Sequence, residues 1–544
     1  MELGRLYTFA QCRALDELSI AAGVPEQQLM GQAALASLYA LESAGNVRRL
    51  LILCGPGNNG GDGYALACML AGRNPAPPAM RIFATAAPKS PAARFYAELA
   101  ARIARESPHI DLRIEPAESF LQITRLEPGD WIIEALLGTG QSTPPRENIT
   151  ALIAHINQLR EIARSRCRVI SLDVPVGLRE NADAVGPRLM PDEIHSYGVD
   201  KLALRLDAEI AAKCRVHVLP MGFVALPDAT ASGSPDIRPL TYTNGARDRL
   251  RALFDKSPLH HKYSAGHGLL LGGSPGMEGA VLMAARAFFA AGGGILHAVV
   301  PDARSREFLS AALPGVMFLD HSAPLPETLR PAAILAGPGL AAQDLRPTID
   351  LLRPVLHRYV STNANARPDN LPWLVLDAGA LPFANDPDFP EGFRARTLLT
   401  PHTGEWTKHL GGERIACVDD LLRALKFHTT KPAAYCLIKD AVSILFGPHA
   451  TSPVGVRSMP NAALAVAGSG DNLAGILLAQ FARRRSEHSN AEAGAFEWIA
   501  AALELLDAAA RQAHHPRADQ FAELIERVLG DGAPTPEPAQ GTIS

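Results

Sequence analysis

Short apolar runs alternate along the chain with segments in which apolar side chains recur with helical spacing. The short runs predict strands and the periodic segments predict helices. Strands separated by helices form βαβ units, so the pattern predicts an α/β protein with mostly parallel sheets. The predicted strands span residues 49–54, 80–84, 131–136, 169–173, 216–219, 268–272, 296–300, 333–336, 373–377, 397–400, 435–439 and 443–446.

Residues 226–239 interrupt this alternation. They read LPDATASGSPDIRP, carry no apolar periodicity and are typical of a linker. The sequence therefore predicts two domains, residues 1–225 and 246–530, joined by a linker at 226–245 and followed by a disordered tail at 531–544. Each predicted domain is large enough to form its own core.

The composition is that of a globular protein, with 47% hydrophobic and 20% charged residues in a chain of 544. The formal net charge of -4 gives no indication of a nucleic-acid or membrane partner. The longest apolar stretch, residues 279–301, contains Arg286 and His297, which argues against a membrane span. The seven cysteines form no C-x-x-C pair and the N-terminus lacks a signal peptide. We therefore expect a cytoplasmic protein without disulfides or structural zinc.

Three polar or glycine-rich motifs follow predicted strands in the first half. GPGNNGGDG at 55–63 lies between a strand and a helix, where glycines allow close backbone approach and the helix N-terminus attracts phosphate. EALLGTGQ at 134–141 and SLDVPVGL at 171–178 also end strands. Open α/β sheets bind ligands at this edge, and Asp173 is a strand-end carboxylate that can act as an acid or base.

These motifs resemble those of the NAD(P)H-hydrate epimerase family, which interconverts the R and S forms of hydrated NAD(P)H and binds a potassium ion. The resemblance covers roughly residues 1–225 and implies a Rossmann-like three-layer α/β/α domain. It implies potassium ligands at Asn59 and Glu134, although this chain has Glu134 and Val176 where the family has Asp and Ser. Lys201 is a candidate for the family lysine. The resemblance also implies a catalytic role for Asp173. The implied substrate contacts are Asn58, Asn59, Gly60, Gly61, Asp62, Gly138, Thr139, Gly140 and Asp173.

The second half contains GSGD at residues 468–471, at the start of a predicted helix. Backbone N–H groups there can hold a phosphoryl group during transfer, and Asp471 can take the proton of an attacking hydroxyl. The strand-end motifs GPGL (337–340), DAGAL (377–381) and TPHTGE (400–405) accompany it. His402 lies at a strand end, which favours a site residue over a structural histidine, and TPHTGE lacks the spacing of a zinc motif.

Together with GGSPGMEGA at 272–280 and IKDA at 438–441, these motifs resemble the ADP-dependent NAD(P)H-hydrate dehydratase family. The resemblance covers about residues 255–515 and implies a ribokinase-like α/β domain that uses ADP with Mg²⁺. Asp440 replaces a family glycine and places a negative charge near the expected diphosphate. The implied substrate contacts are Ala280, Gly339, His402 and Asp471, with Asp471 as the base. The implied nucleotide contacts are Lys439, Ala441, Gly468, Ser469 and Gly470.

The two resemblances together imply a bifunctional repair enzyme for hydrated NADH or NADPH. One half would convert the R form to the S form, and the other would dehydrate the S form with release of AMP and phosphate. Two alternatives remain open. The chain could be a vitamin or sugar kinase of the ribokinase type, or an active dehydratase whose N-terminal domain only binds nucleotide. The sequence leaves undecided the preference between NADH and NADPH hydrates, ADP or ATP as donor, and homo-oligomer formation.

Overall fold

The computed structural model describes residues 4–43, 47–73, 78–163, 167–181, 186–222, 235–240, 254, 265–361, 371–431, 434–484 and 491–530. The chain forms two compact units, residues 1–239 with 415–424, and residues 240–414 with 425–544. Of the predicted linker at 226–245, only residues 235–240 are described. The predicted tail at 531–544 lies outside the described residues, so the domain boundaries remain a prediction.

Up to residue 239, a sheet of seven parallel strands is covered by helices on both faces. Its strand order is β4-β3-β2-β5-β6-β7-β9. Besides these seven strands, this part of the chain contains the parallel pair β1 and β8 and the short strand β10. The strands are β1 (Leu6–Tyr7), β2 (Arg49–Cys54), β3 (Ala79–Ala84), β4 (Leu112–Pro116), β5 (Asp130–Ala135), β6 (Arg168–Leu172), β7 (Glu193–Tyr197), β8 (Asp200–Lys201), β9 (Arg215–Leu219) and β10 (Ile237–Pro239). The helices are α1 (Phe9–Ala21), α2 (Glu26–Ser43), α3 (Asn58–Ala71), α4 (Pro91–Glu106), α5 (Glu147–Ala163), α6 (Leu202–Leu206) and α7 (Ala208–Lys213).

Alternation along β2 divides the core of this unit into two layers. Leu50 and Ile52 pack with residues of α2, α3 and α4 on one face, whereas Leu51 and Leu53 pack with α5 on the other. Successive strand side chains point to opposite faces, so an uninterrupted apolar strand can bury both. The expected three-layer α/β/α arrangement is confirmed.

From residue 240 on, nine strands run in the order β19-β18-β17-β16-β15-β14-β11-β12-β13. All neighbours are parallel except β17 with β18 and β18 with β19. The strands are β11 (His267–Leu271), β12 (Ile295–Val299), β13 (Val316–Leu319), β14 (Ala333–Ala336), β15 (Trp373–Leu376), β16 (Thr397–Leu399), β17 (Tyr435–Ile438), β18 (Val442–Phe446) and β19 (Val454–Ser458). The helices are α8 (Glu278–Ala290), α9 (Ala303–Ala312), α10 (Ala342–Ser361), α11 (Thr403–Leu410), α12 (Val418–Thr429), α13 (Ser469–Arg484), α14 (Ala491–Ala510) and α15 (Phe521–Leu529).

The prediction of an α/β protein with mostly parallel sheets is confirmed, and every predicted strand is present within a residue or two. All seven cysteines are free. Among the described helices, none combines the length and the apolar character needed to cross a membrane.

The packing of α13 on α8 depends on a glycine. A Cβ atom at Gly475 would lie 2.1 Å from the carbonyl oxygen of Ala284, so Gly475→Ala forces the two helices apart. We predict that this substitution lowers the free energy of unfolding of the second unit by about 1–3 kcal/mol, the usual cost of overpacking. Thermal unfolding followed by tryptophan fluorescence measures it.

The control is Gly279→Ala, because a Cβ atom at Gly279 in α8 meets no atom within 4 Å. Alanine favours a helix over glycine by about 1 kcal/mol, so the control keeps or raises the melting temperature. Equal melting temperatures for Gly475→Ala and the wild type would contradict this account of the helix contact.

Candidate functional site

In the first unit, a cavity of about 320 Å³ lies beyond the carboxyl ends of the parallel strands. Helices α1 and α2 form its opposite wall. The sequence-predicted residues that line it are Asn58, Asn59, Asp62, Gly138, Thr139, Gly140 and Asp173. Parallel strands end at one edge of a sheet, which is why three separate motifs meet there.

Gly60 and Gly61 do not line this cavity, although the sequence predicts substrate contacts there. A Cβ atom at Gly60 would lie 1.8 Å from the carbonyl oxygen of Gly55, and one at Gly61 would lie 2.5 Å from Cε of Met30. These two glycines therefore serve the close packing of α3 against its neighbours.

Asp173 is held facing the cavity by a strained turn and an ion pair. Its φ of 64° is rare for a residue with a side chain. Its Oδ2 accepts a hydrogen bond of 3.0 Å from the Thr139 N–H, and its Oδ1 lies 3.0 Å from Nζ of Lys201. The Lys201 ammonium also donates to Ser196 Oγ and the Tyr197 carbonyl oxygen, and its side chain is 1% exposed. Lys201 and the Thr139 N–H thereby fix the orientation of the Asp173 carboxylate at the cavity wall.

Burial and charge act in opposite directions on Lys201. Burial is the largest single effect and lowers the pKa of Lys201, but the groups around it, with Asp173 first among them, together raise the pKa above its usual value. Lys201, the candidate family lysine, is therefore charged.

Asp62 also lines the cavity, and no hydrogen bond or ion pair holds its side chain among the described residues. Burial, then the negative charges of Asp173, Asp16 and Glu26, raise the pKa of Asp62 well above its usual range. Burial and Asp173 also raise the pKa of Asp16 to about 6. The cavity therefore contains two carboxyl groups, Asp62 and Asp16, whose protonated form is favoured by burial, and a third, Asp173, that is paired with a lysine.

The two predicted potassium ligands lie in different surroundings. Asn59 is 5% exposed, lines the cavity and has no hydrogen-bond partner for either polar atom of its amide. Glu134 is fully buried and does not line the cavity, and its carboxylate accepts backbone N–H groups of Leu136 at 2.8 Å and Val176 at 3.1 Å. Burial raises the pKa of Glu134 to about 7. Asn59 thus offers an unused oxygen that suits a hard cation, whereas Glu134 is engaged in fixing the strand ends.

In the second unit, loops at the carboxyl ends of the parallel strands meet the N-terminus of α13. Gly339 has a φ of 60° and lies against Ala280, since a Cβ atom added there would be 3.0 Å from Cβ of Ala280. The structure thus brings together these two predicted substrate contacts, which are far apart in the sequence.

Asp471 lies in the first turn of α13, after Gly468 and Ser469. Burial and the carboxylate of Asp377 raise the pKa of Asp471 to about 6, while Lys439 opposes the shift. Nζ of Lys439 lies 3.4 Å from the position of a Cβ atom built on Gly470. The predicted base, the predicted lysine and the helix N-terminus therefore form one group, in which an anion could be held.

His402 is the N-terminal cap of α11. Its Nδ1 accepts the backbone N–H groups of Gly404 at 2.9 Å and Glu405 at 3.3 Å, and Glu405 Oε2 accepts the His402 N–H. This assignment places the proton of the neutral ring on Nε2. The side chain is 61% exposed, so the Nε2–H group is accessible to a ligand while Nδ1 caps the helix.

The backbone N–H of Ala441, where the sequence predicts a nucleotide contact, is engaged by the side chain of the preceding residue. The Ala441 N–H donates to Oδ1 of Asp440 at 2.7 Å, and Oδ2 of Asp440 accepts the Thr403 hydroxyl at 2.5 Å. The extra charge of Asp440 is therefore partly compensated by these donors.

The DAGAL motif includes Asp377, but its pattern did not indicate a role for this residue, which contacts Lys439. The sequence analysis also missed the contribution of α1 and α2 to the first cavity. Asp377 immediately follows β15, as Asp173 follows β6, so its position at a strand end was a usable signal. Arg13 of α1 and Glu26 of α2 line the cavity, and both helices precede every recognised motif. Nothing local in the sequence indicates that those helices lie over the strand ends.

We predict unequal effects of removing the two partners of the Asp173–Lys201 pair. Asp173→Asn leaves a buried ammonium without a counter-charge and lowers the free energy of unfolding of the first unit by about 3 kcal/mol. Lys201→Met costs less, because the Asp173 side chain is 15% exposed to the cavity and keeps its bond from Thr139. Hydrogen exchange of the β6 amides in the two variants measures the difference. A larger loss in Lys201→Met would contradict the assignment.

Comparison with known proteins agrees with this division into two sites. Residues 26–203 match the family model described as YjeF-related protein N-terminus, and residues 268–523 match that of NAD(P)H-hydrate dehydratase. The bifunctional NAD(P)H-hydrate repair enzyme Nnr of Moorella thermoacetica is 29% identical over 495 residues, 87% of each chain. Its namesake in Salinibacter ruber is also 29% identical, over 88% of this chain and 86% of its own.

A solved structure of an ADP/ATP-dependent NAD(P)H-hydrate dehydratase from Bacillus subtilis, co-crystallized with ATP/Mg²⁺, is 24% identical, with a TM-score of 0.39, and covers 52% of this chain and 95% of that one. The two family models lie in the same order as the two structural units and together match well over half of the chain. The chain belongs to the family of the bifunctional NAD(P)H-hydrate repair enzymes.

Proposed function

We propose that this chain restores hydrated NAD(P)H in two steps. The first unit interconverts the R and S forms, and the second dehydrates the S form with ADP, giving NAD(P)H, AMP and phosphate. The observation that carries the proposal is the pairing of two family-matched units, each with a strand-end carboxylate and a lysine at its site.

In the second unit, Asp471 acts as the base. It takes the proton of the C6 hydroxyl while that oxygen attacks the terminal phosphorus of the nucleotide, and the phosphorus–oxygen bond to AMP breaks. The N–H groups at the start of α13 and the Lys439 ammonium stabilise the charge that moves with the phosphoryl group. The ring nitrogen lone pair then expels phosphate from C6, and loss of a proton from C5 restores the double bond.

Magnesium fits this site as an ion carried by the nucleotide. Within the described part of the chain, no group of three or more His, Cys, Asp or Glu side chains is placed to hold a metal. Mg²⁺ commonly binds through substrate phosphates and water with few protein ligands. When bound, it would neutralise charge on the phosphates.

In the first unit, two of the carboxyl groups that line the cavity, Asp62 and Asp173, suit opposite roles. Asp62, which favours the protonated form, can protonate the departing C6 hydroxyl, and the ionised Asp173 can stabilise the planar cation that remains. Water that adds to the other face of C6 gives up one proton to a carboxylate of the cavity, which balances the proton donated by Asp62, and the opposite epimer results. A potassium ion at the unpartnered amide oxygen of Asn59 would neutralise part of the negative charge in this cavity.

One observation favours a second candidate for the first unit. Both oxygens of Glu134 are engaged by backbone N–H groups, and Val176 supplies no side-chain oxygen, so the potassium ligands implied by the family are incomplete. A first unit that binds nucleotide without catalysis is therefore the alternative to an active epimerase. We also propose that the enzyme works in the cytoplasm, where free cysteines stay reduced.

We predict that dehydratase activity falls as the pH drops through about 6. The pKa of Asp471 is raised to about 6, and its protonated form cannot accept the hydroxyl proton. Asp471→Asn should lower kcat by about 10²- to 10⁴-fold, the usual contribution of a general base. Initial rates of NADH formation from the S form, with ADP and Mg²⁺, measure both effects.

The control is Glu523→Gln on the exposed face of α15, which should keep the wild-type rate and pH profile. A stable phosphate ester in place of NADH would identify a small-molecule kinase. The acid limb of the pH profile is the fall in rate as the pH drops through about 6. If Asp471→Asn is still active and keeps an unchanged acid limb, another residue is the base.

A further inference from the structure

Asp377 is a buried carboxylate that connects three neighbouring strand ends. It follows β15 and is 3% exposed. Its Oδ1 accepts hydrogen bonds from the Thr400 hydroxyl at 2.6 Å and from Nζ of Lys439 at 2.7 Å. Thr400 follows β16 and Lys439 follows β17, and β15, β16 and β17 are adjacent in the sheet. The carboxylate therefore reaches across one strand to hold the lysine of the next.

The backbone around Asp377 fixes the carboxylate in place. The Asp377 N–H donates to the carbonyl oxygen of Ala336 at 3.0 Å, and the Thr400 N–H donates to that of Leu376 at 3.1 Å. The next residue, Ala378, has a φ of 42°, which is unfavourable for a residue with a side chain. A strained residue persists where the surrounding structure determines its conformation, and such positions often lie at functional sites.

The held lysine points to the start of α13. Nζ of Lys439 lies 3.4 Å from the position of a Cβ atom on Gly470, one residue before Asp471. The lysine side chain is 19% exposed, so its ammonium is confined and still accessible to a ligand. A free lysine side chain would sample many rotamers, and the bond to Asp377 removes most of that freedom.

We propose that Asp377, supported by Thr400, is a positioning residue for phosphoryl transfer, which holds the Lys439 ammonium where the transferring phosphoryl group meets the N-terminus of α13. This inference rests on the proposed dehydratase function and adds to it a residue that acts through Lys439. Holding the lysine before the reaction removes the cost of ordering it in the transition state.

Asp377 also acts on the base. The titratable and charged groups that face Asp471 are Asp377 from β15, Lys439 from β17 and Glu405 from α11. After burial, Asp377 is the largest contribution that raises the pKa of Asp471, and Lys439 lowers it. Removing Asp377 or Lys439 should therefore move the acid limb of the rate profile in opposite directions.

The test compares three variants by steady-state kinetics on the S form. Asp377→Asn should lower kcat by about 10- to 100-fold, with a smaller change in the KM for ADP, because the lysine is misplaced in the transition state. Its acid limb should shift to lower pH. Lys439→Met should lower kcat and shift the acid limb to higher pH. In the double variant the losses should not multiply, since Asp377 acts through Lys439.

Asp507→Asn is the matched control. Asp507 is a buried carboxylate in the same unit, paired with Arg457 and Arg511. Its replacement should lower stability but leave the acid limb where it is in the wild type. Thr400→Val removes the second bond to Asp377 without changing charge, and should lower kcat less than Asp377→Asn without shifting the limb downward.

The proposal is overturned if Asp377→Asn keeps kcat within about twofold of the wild type with an unmoved acid limb, or if the losses in the double variant multiply. If Asp377→Asn does not fold, the other two variants decide. The proposal is then overturned when Lys439→Met leaves the acid limb unmoved and Thr400→Val leaves kcat unchanged. A wild type that forms no NADH with any nucleotide defeats the proposed function instead, so the two failures are distinguishable.

Discussion

Parallel strands must all end at the same edge of their sheet, and both sites of this protein depend on that constraint. In the first unit it brings the residues after β2, β5 and β6 to one cavity. In the second unit it places the ends of β15, β16 and β17 beside the N-terminus of α13. Each site is assembled from short loops on a buried sheet, so its residues are fixed by the core beneath them.

The two units use the same electrostatic arrangement. In each, an aspartate that directly follows a strand forms an ion pair with a lysine that lies at the end of another strand or just after it, Asp173 with Lys201 and Asp377 with Lys439. Within the described chain, the two non-glycine residues with positive φ are Asp173 and Ala378, and both belong to these turns. The roles of the pairs differ, however. Asp173 faces the cavity itself, whereas Asp377 lies beneath the lysine that reaches the site.

The sequence was sufficient to predict much of this architecture, because continuous apolar runs mark strands that are buried on both faces. The strands it missed include β4, whose residues are largely exposed at the sheet edge, and β7, whose sequence EIHSY carries polar side chains in a fully buried strand. It also missed β13, β19 and the short strands β1, β8 and β10. It treated Asn59 and Glu134 alike as potassium ligands, whereas in the structure Asn59 lines the cavity and the Glu134 carboxylate accepts the backbone N–H groups of Leu136 and Val176. Such partners are set by tertiary packing, which leaves no local pattern in the sequence. For the same reason, the sequence did not indicate that Gly60 and Gly61 allow the close packing of α3.

The most direct measurement follows the absorbance of reduced nicotinamide in a mixture of R- and S-hydrated NADH, supplied with ADP, Mg²⁺ and K⁺. The account predicts full recovery by the wild type, slow and partial recovery by Asp62→Ala, and none by Asp471→Ala. Recovery of the S fraction alone by the wild type would mean that the first unit binds without catalysing epimerisation. No recovery with either ADP or ATP would contradict the repair function altogether.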